Sequence, residues 1–275
     1  MTNSVNTNPG AMIALQNLNK SNMELQQVQN RINTGLKVAG AKDNGGIFAI
    51  AQRMRAEVAG YGVVQQSLDR GNATLDVSLA AGEAISDLLI EMKEKALAAA
   101  DTSLDTASRS ALNEDFMALR DQISTIVENA EFNGVNLIDG STDAFVALAN
   151  QDGSNTITVP SEDMSLSGTI VTVGATASFA TATQASDIAS QIASSLDAVN
   201  ESLARLGTKS KALEIHSTFV TKLSDTLEKG IGNLVDADMA KESARLQSLQ
   251  VKQQLGIQAL SIANASPQSV LSFFR

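Results

Sequence analysis

The sequence predicts a mainly α protein, with long antiparallel helices, a terminal coiled coil and a small β-hairpin region in the centre. Three observations carry that prediction. Apolar residues recur in alternating steps of four and three near both ends of the chain, the signature of a helix with one buried stripe. Only three Pro occur in 275 residues, and proline is what breaks helix interiors. Between the helical stretches lies a turn-rich segment with Asn-Gly and Asp-Gly pairs, the strongest short-range hairpin signals.

The first stripe is Ala11, Leu15, Leu18, Asn22, Leu25, Gln29 and Ile32, and Pro9 stands just ahead of it, where proline suits a helix start. The first forty residues carry four charges, Lys20, Glu24, Arg31 and Lys37; Asn, Gln, Ser and Thr fill the remaining polar positions. A solvated helix face is usually richer in charge, so this face suits burial against another chain. Residues 35–46, GLKVAGAKDNGG, read as a break. Helical periodicity resumes near Ile47 and runs to about Ala100, with Gly60 and Gly62 expected to weaken it. Asp101 to Thr106 reads as a loop with capping residues. A further helix carries Leu112, Phe116, Leu119, Ile123, Ile126 and Ala130 in the same step.

From residue 132 to about 185 the character changes. FVALAN and NTITVP read as two strands around the Asp152-Gly153 turn. The TIVTV run at 169–173 is open to three readings: strand, surface loop or glycan-bearing segment. Helix returns at Ser186 and lasts to about Glu228, with Val199, Leu203, Leu206, Ser210, Leu213, Ser217, Val220, Ser224 and Leu227 in heptad step. Gly230 and Gly232 are expected to interrupt it. The last helix is expected to start near Asp236 as N-cap and to stop near Pro267, presenting Leu246, Leu249, Gln253, Gly256, Leu260 and Ala263.

Composition excludes several function classes. The net charge of −10 argues against nucleic acid, whose phosphates need clustered Lys and Arg. The absence of Cys removes disulfides and thiolate chemistry, and a single His removes multi-histidine metal sites. No apolar stretch reaches the ~18 residues of a membrane span, and the N-terminus lacks the basic-then-apolar pattern of a cleaved secretory signal. No catalytic, cofactor-binding or metal-ligating constellation stands out. The lone His216 has no nucleophile motif beside it. The aromatic content of 3% leaves a core of Leu, Ile, Val, Met and Ala.

The plan resembles bacterial flagellin, the filament subunit. The strings that carry the resemblance are RINTGLKVAGAKDNGG (31–46), the turn Phe132-Asn133-Gly134 with Leu137 and Gly140, and NLVDADMAKESARLQSLQVKQQLGIQALSIANASPQSVLSFF (233–274). In the last string Asp236, Asp238, Ala240, Ala244, Gln247, Gln254, Gly256, Leu260, Ala263, Asn264, Pro267, Gln268 and Leu271 fall where the family has them. The likeness covers residues 1 to about 140 and 185 to 275 and fails over the centre, so the chain resembles a minimal flagellin with little or no outer domain.

That resemblance implies an inner terminal coiled-coil domain from 1–34 and 236–275, a helical domain from 35–140 and 186–235, and a hairpin with a variable surface segment at 141–185. It implies a self-assembly interface of Leu15, Leu18, Leu25, Ile32, Leu249, Gln253, Gln254, Gly256, Leu260, Ala263, Asn264 and Leu271, and a hairpin turn at Phe132, Asn133 and Gly134. It implies a non-enzymatic subunit, without cofactor, that polymerises head-to-tail with itself and with paralogous flagellins. It also implies an export chaperone, junction and cap proteins as partners, no nucleic acid and no membrane insertion. The protein is expected outside the cell in the flagellar filament, delivered by the flagellar type III apparatus without a cleaved signal. A hook–filament junction protein shares the terminal architecture and is the alternative. The Ser and Thr of 141–186 leave room for O-linked glycans. Glu91 stands where many flagellins have Arg, and Lys95 where they have Leu; this implies lost recognition by the toll-like receptor that reads that helix.

Overall fold

The computed structural model describes residues 7–271, with side chains described through residue 265. The chain forms two compact units, residues 1–56 with 226–275, and residues 57–225. Five helices run α1 (Pro9–Thr34), α2 (Gly45–Ala99), α3 (Thr106–Asn129), α4 (Ala182–Val235) and α5 (Met239–Leu271). Four strands lie between α3 and α4: β1 (Glu131–Phe132), β2 (Val135–Asn136), β3 (Ala144–Leu148) and β4 (Thr156–Pro160). They pair as two separate antiparallel hairpins, β1 with β2 and β3 with β4.

Residues 57–225 enclose the larger core. Leu68, Leu75, Leu89 and Met92 from α2, Phe116 and Ile123 from α3, and Val199, Leu206 and Leu213 from α4 are all fully buried or nearly so. The core is aliphatic, as a chain poor in aromatics requires, with Phe116 and Phe179 making a tilted ring pair at 5.2 Å between centroids. α3 starts at Asp105, whose carboxylate accepts from the Ser108 N–H at 2.6 Å. Its far end is capped in turn. The buried Asn136 donates from Nδ2 to the Val127 carbonyl at 2.7 Å and accepts from the Ile138 N–H at 2.9 Å.

The β1–β2 hairpin closes through Asn133 (φ 52°) and Gly134 (φ 80°). Two consecutive left-handed residues match the strand twist, which is why Asn-Gly suits this turn. The β3–β4 hairpin lies on α2 along a row of glycines. A Cβ on Gly60 would stand 2.7 Å from Gln151 Cβ, and one on Gly71 2.7 Å from the Phe145 ring. Gly82, eleven residues on again, would meet Leu203 Cδ2 at 2.7 Å. Eleven residues are about three helical turns, so these positions share one face. Gly60 and Gly62 do not interrupt α2, whatever they cost it in helix propensity. The helix is continuous through both, and the space at Gly60 is filled by the hairpin. His216 Nε2 lies 2.8 Å from the Ala149 carbonyl, tying the hairpin end to α4. Just beyond β4, Glu162 receives a bidentate bond from Arg205 of α4, at 2.8 and 2.6 Å.

Other element ends differ from expectation, each for a local reason. α4 begins four residues before Ser186 and runs through Gly230 and Gly232 to Val235. A Cβ on Gly230 would lie 2.9 Å from Met54 Cε, the mobile end of a flexible side chain. The N-cap of α5 is Asp238, which accepts from the Lys241 N–H at 3.1 Å. Asp236 instead forms an isolated bridge with Leu36, and its own N–H bonds the Gly232 carbonyl at 2.8 Å. α5 does not stop near Pro267 but continues to Leu271. TIVTV is none of the named strands. Its Ile170, Val171 and Val173 are buried in the core, and the Thr172 N–H donates to Ser195 Oγ at 3.0 Å.

Candidate functional site: the paired terminal helices

α1 begins with Asn8 as N-cap, its Oδ1 accepting from the Ala11 N–H at 3.1 Å, and Pro9 takes the first helical position. It ends at Gly35, which adopts the left-handed conformation (φ 72°) that favours glycine. α5 runs antiparallel to it. Asn8 meets Ala263, Leu18 meets Gly256, Asn22 meets Gln253, and Arg31 meets Glu242. As one number rises the other falls.

Antiparallel pairing sets the C-terminus of α1 beside the N-terminus of α5. Arg31 lies in the last turn of α1 and Glu242 in the first turn of α5, so each charge favours its own helix dipole. They also bond each other, Nη1 to Oε1 at 3.1 Å. Arg31 Nε and Glu242 Oε2 are buried without hydrogen-bond partners among the described residues, so this pair is held by one bond.

The interior of the helix pair is small. Leu25, Val28 and Leu249 form its buried cluster, with Ile32 and Leu246 packed against it. Gln253 donates from Nε2 to Asn22 Oδ1 at 2.8 Å, pairing two polar positions of the stripes. Gly256 allows close approach, since a Cβ there would stand 3.3 Å from Leu18 Cδ1. Leu18, Leu260 and Ala263 are half-buried, while Gln254 and Asn264 are exposed. Leu15 is exposed as well. The side chain of Leu271 lies outside the described residues.

The expected interface set thus divides. Leu18, Leu25, Ile32, Leu249, Gln253, Gly256, Leu260 and Ala263 lie along the seam; Leu15, Gln254 and Asn264 lie off it. Sequence reasoning missed Val28, 1% exposed, because it followed a strict heptad. A stripe widened by one position would have included it. It also missed the outer apolar residues. Met12, Ile13 and Met23 on α1, and Val251, Leu255, Ile257 and Ile262 on α5, are exposed in the single chain. On α5 these residues are interspersed with exposed Lys252, Gln254 and Gln258, so apolar groups spread beyond the seam.

Among the described residues, no group of three or more His, Asp or Glu could hold a metal ion, and no helix is long and apolar enough to cross a membrane.

Two family models match the chain, the bacterial flagellin N-terminal helical region over residues 5–143 and the C-terminal helical region over residues 189–274. Flagellin FljK of Caulobacter vibrioides is 58% identical over 273 residues, with 99% of each chain covered. Among solved structures, a crystal structure of Bacillus cereus flagellin aligns with TM-score 0.50 at 19% identity, over 56% of this chain and 88% of that one. A hook-associated protein of Vibrio parahaemolyticus aligns with TM-score 0.60 at 14% identity, over 70% of this chain and 100% of that one. At such identities these two likenesses show the fold alone. Family models at both ends and a full-length relative agree, and the chain belongs to the bacterial flagellins.

Proposed function

We infer that this flagellar filament subunit polymerises by packing its paired terminal helices among those of neighbouring copies. The single observation that carries this reading is the outer face of α1 and α5. Met12, Leu15, Met23, Val251, Leu255, Ile257 and Ile262 are exposed on two helices joined by a very small interior. Burying a large aliphatic side chain stabilises by ~1.5–3 kcal/mol. Ordering the backbone costs ~1–2 kcal/mol per residue. Three buried side chains are a thin reward for ordering helices of 26 and 33 residues. Isolated helices draw most of their stability from packing. In the free subunit the two termini are therefore largely unfolded, and they fold on docking.

In this reading residues 1–34 and 236–275 form the inner layer, 35–140 and 186–235 the surrounding helical domain, and 141–185 the outer hairpin segment. Contacts run head to tail, a heterologous arrangement that grows an open helix when its rotation does not close a ring. Coupling folding to docking confines growth to an existing end. It also keeps the chain extended for passage through a flagellar type III export channel, with an export chaperone covering the sticky termini. Junction and cap proteins would meet the same termini at the two ends of the filament. The junction-protein alternative has only fold likeness in its favour, whereas full-length sequence similarity runs to a flagellin.

The test is seeded growth from purified protein: addition to filament fragments gives long fibres, and a subunit that only decorates the ends would contradict the reading. O-linked glycans would occupy exposed hydroxyls such as Ser154, Thr176 and Thr183, and the intact mass of filament protein reads them out. Glu91 is exposed and Lys95 is paired with Asp115 at 2.7 Å, so neither offers the receptor an arginine or a leucine. A reporter-cell assay should stay silent at low concentration; a strong response there would contradict this.

A further inference from the structure

We propose that Asn8 and Pro267 form a latch that sets the register of the two terminal helices, the Asn8 amide standing in for the backbone N–H that Pro267 lacks. α5 runs through position 267 to Leu271. Proline has no N–H, so the carbonyl four residues earlier loses its helical donor. That carbonyl belongs to Ala263, and it accepts from Asn8 Nδ2 at 2.6 Å. The other end of the same side chain caps α1, Oδ1 accepting from the Ala11 N–H at 3.1 Å. One amide thus meets two backbone needs, the Ala11 N–H on α1 and the Ala263 carbonyl on α5.

The surroundings suit this role. Pro9 directly follows Asn8 and occupies the first helical position, where a missing N–H costs nothing. Position 10 lies close to the latch, a Cβ there standing at ordinary contact distance from Asn8 Oδ1 (3.4 Å) and Ala263 Cβ (4.0 Å). Register follows from the bonding. Carbonyls one turn along α5, about 5.4 Å away, have helical N–H donors. If α5 slid by a turn, Asn8 would face a carbonyl already bonded, and Ala263 would be left without a donor. The other cross-helix polar pairs among the described residues, Asn22 with Gln253, Glu24 with Arg245 at 3.8 Å and Arg31 with Glu242, join flexible side chains and discriminate register less sharply.

The inference rests on the inner-layer reading, because it assumes that growth requires α1 to pair with α5. Its test is the critical concentration for seeded filament growth in a two-by-two set. Pro267→Ala restores the N–H at that position, so this variant grows at a critical concentration no higher than the unmodified chain. Asn8→Ser keeps an oxygen for the Ala11 N–H but is too short to reach Ala263, and it raises the critical concentration about tenfold. In the Pro267→Ala background most of that increase disappears. Asn8→Asp sets a carboxylate against the Ala263 carbonyl; it raises the value further when Pro267 is present and is likewise relieved by Pro267→Ala. An equal increase in both backgrounds, no increase in either, or failure of Pro267→Ala to grow would overturn the latch. Each of these results leaves the inner layer standing provided that Leu260→Asp blocks growth; normal filaments from Leu260→Asp would remove the inner layer itself.

Discussion

The two units of this chain use helices in opposite ways. Residues 57–225 close a core of their own, in which Leu68, Leu75, Ile85, Leu89, Phe116 and Ile123 are fully buried. The terminal pair buries Leu25, Val28 and Leu249 and leaves a larger set in solvent, Met12, Ile13, Leu15, Met23, Val251, Leu255, Ile257 and Ile262. The first arrangement closes a large core within one molecule, although Val63, Ile90, Leu97, Ile215 and Phe219 remain exposed on it. On the proposed reading the second becomes complete only when copies stack, giving the subunit one part folded before docking and one whose folding is docking. The difference resides in which helix faces have partners, since both units are built from the same aliphatic residues.

The largest effect expected on breaking this contrast comes from Leu260→Asp. Leu260 is half-buried in the single chain, and an unpaired carboxylate in a dry layer costs several kcal/mol per subunit, of order ~3–5. Electron microscopy should find no filaments, while circular dichroism of the free subunit is unchanged. Next comes a pair of glycine substitutions within residues 57–225. Gly60→Ala would press against Gln151, including backbone atoms at 3.3 and 3.4 Å. It should lower unfolding stability by ~1–3 kcal/mol through overpacking. Gly62→Ala meets nothing within 4 Å and should raise stability by up to ~1 kcal/mol through helix propensity. Denaturant melts of the two variants should therefore shift in opposite directions.

Smallest is a pH effect at the start of α3. Hydrogen bonds from the Ser108 backbone and side chain hold the Asp105 carboxyl below its ordinary value of 3.8. A depressed carboxyl contributes stability that is fully present above 3.8 and is lost as pH falls through the folded value. Asp105→Asn keeps a capping oxygen but removes the titration. Its thermal melts should lose less stability than the unmodified chain on acidification below 3.8, and an identical acid dependence would contradict the assignment.

Much of the fold was legible because helix and hairpin signals are local. The heptad steps, the Asn133-Gly134 turn and the Asp152-Gly153 turn each describe contacts within a few residues. Signals that depend on distant neighbours were misread. Gly60 is expected from sequence to weaken its helix and Gly230 to interrupt its own, but each sits where another element comes close, Gln151 in one case and Met54 in the other. Pro267 looked like a terminus because nothing nearby announces that Asn8 will bond the carbonyl it leaves free. A spacing of eleven between Gly60, Gly71 and Gly82 was visible in the sequence and could have indicated a shared face. In the candidate interface, the seam followed from periodicity. The exposed apolar set, Met12, Ile13, Val251, Leu255, Ile257 and Ile262, did not, because a stripe of period seven describes one seam and these residues lie off it.

Hydrogen exchange compared between free subunits and assembled filaments tests the central claim most directly. The amides of α1 and α5 should exchange rapidly in the free subunit and become strongly protected in the filament, while the core helices of residues 57–225 are protected in both. Equal protection of α1 and α5 before and after assembly would show that the terminal helices are stable alone and would contradict the account.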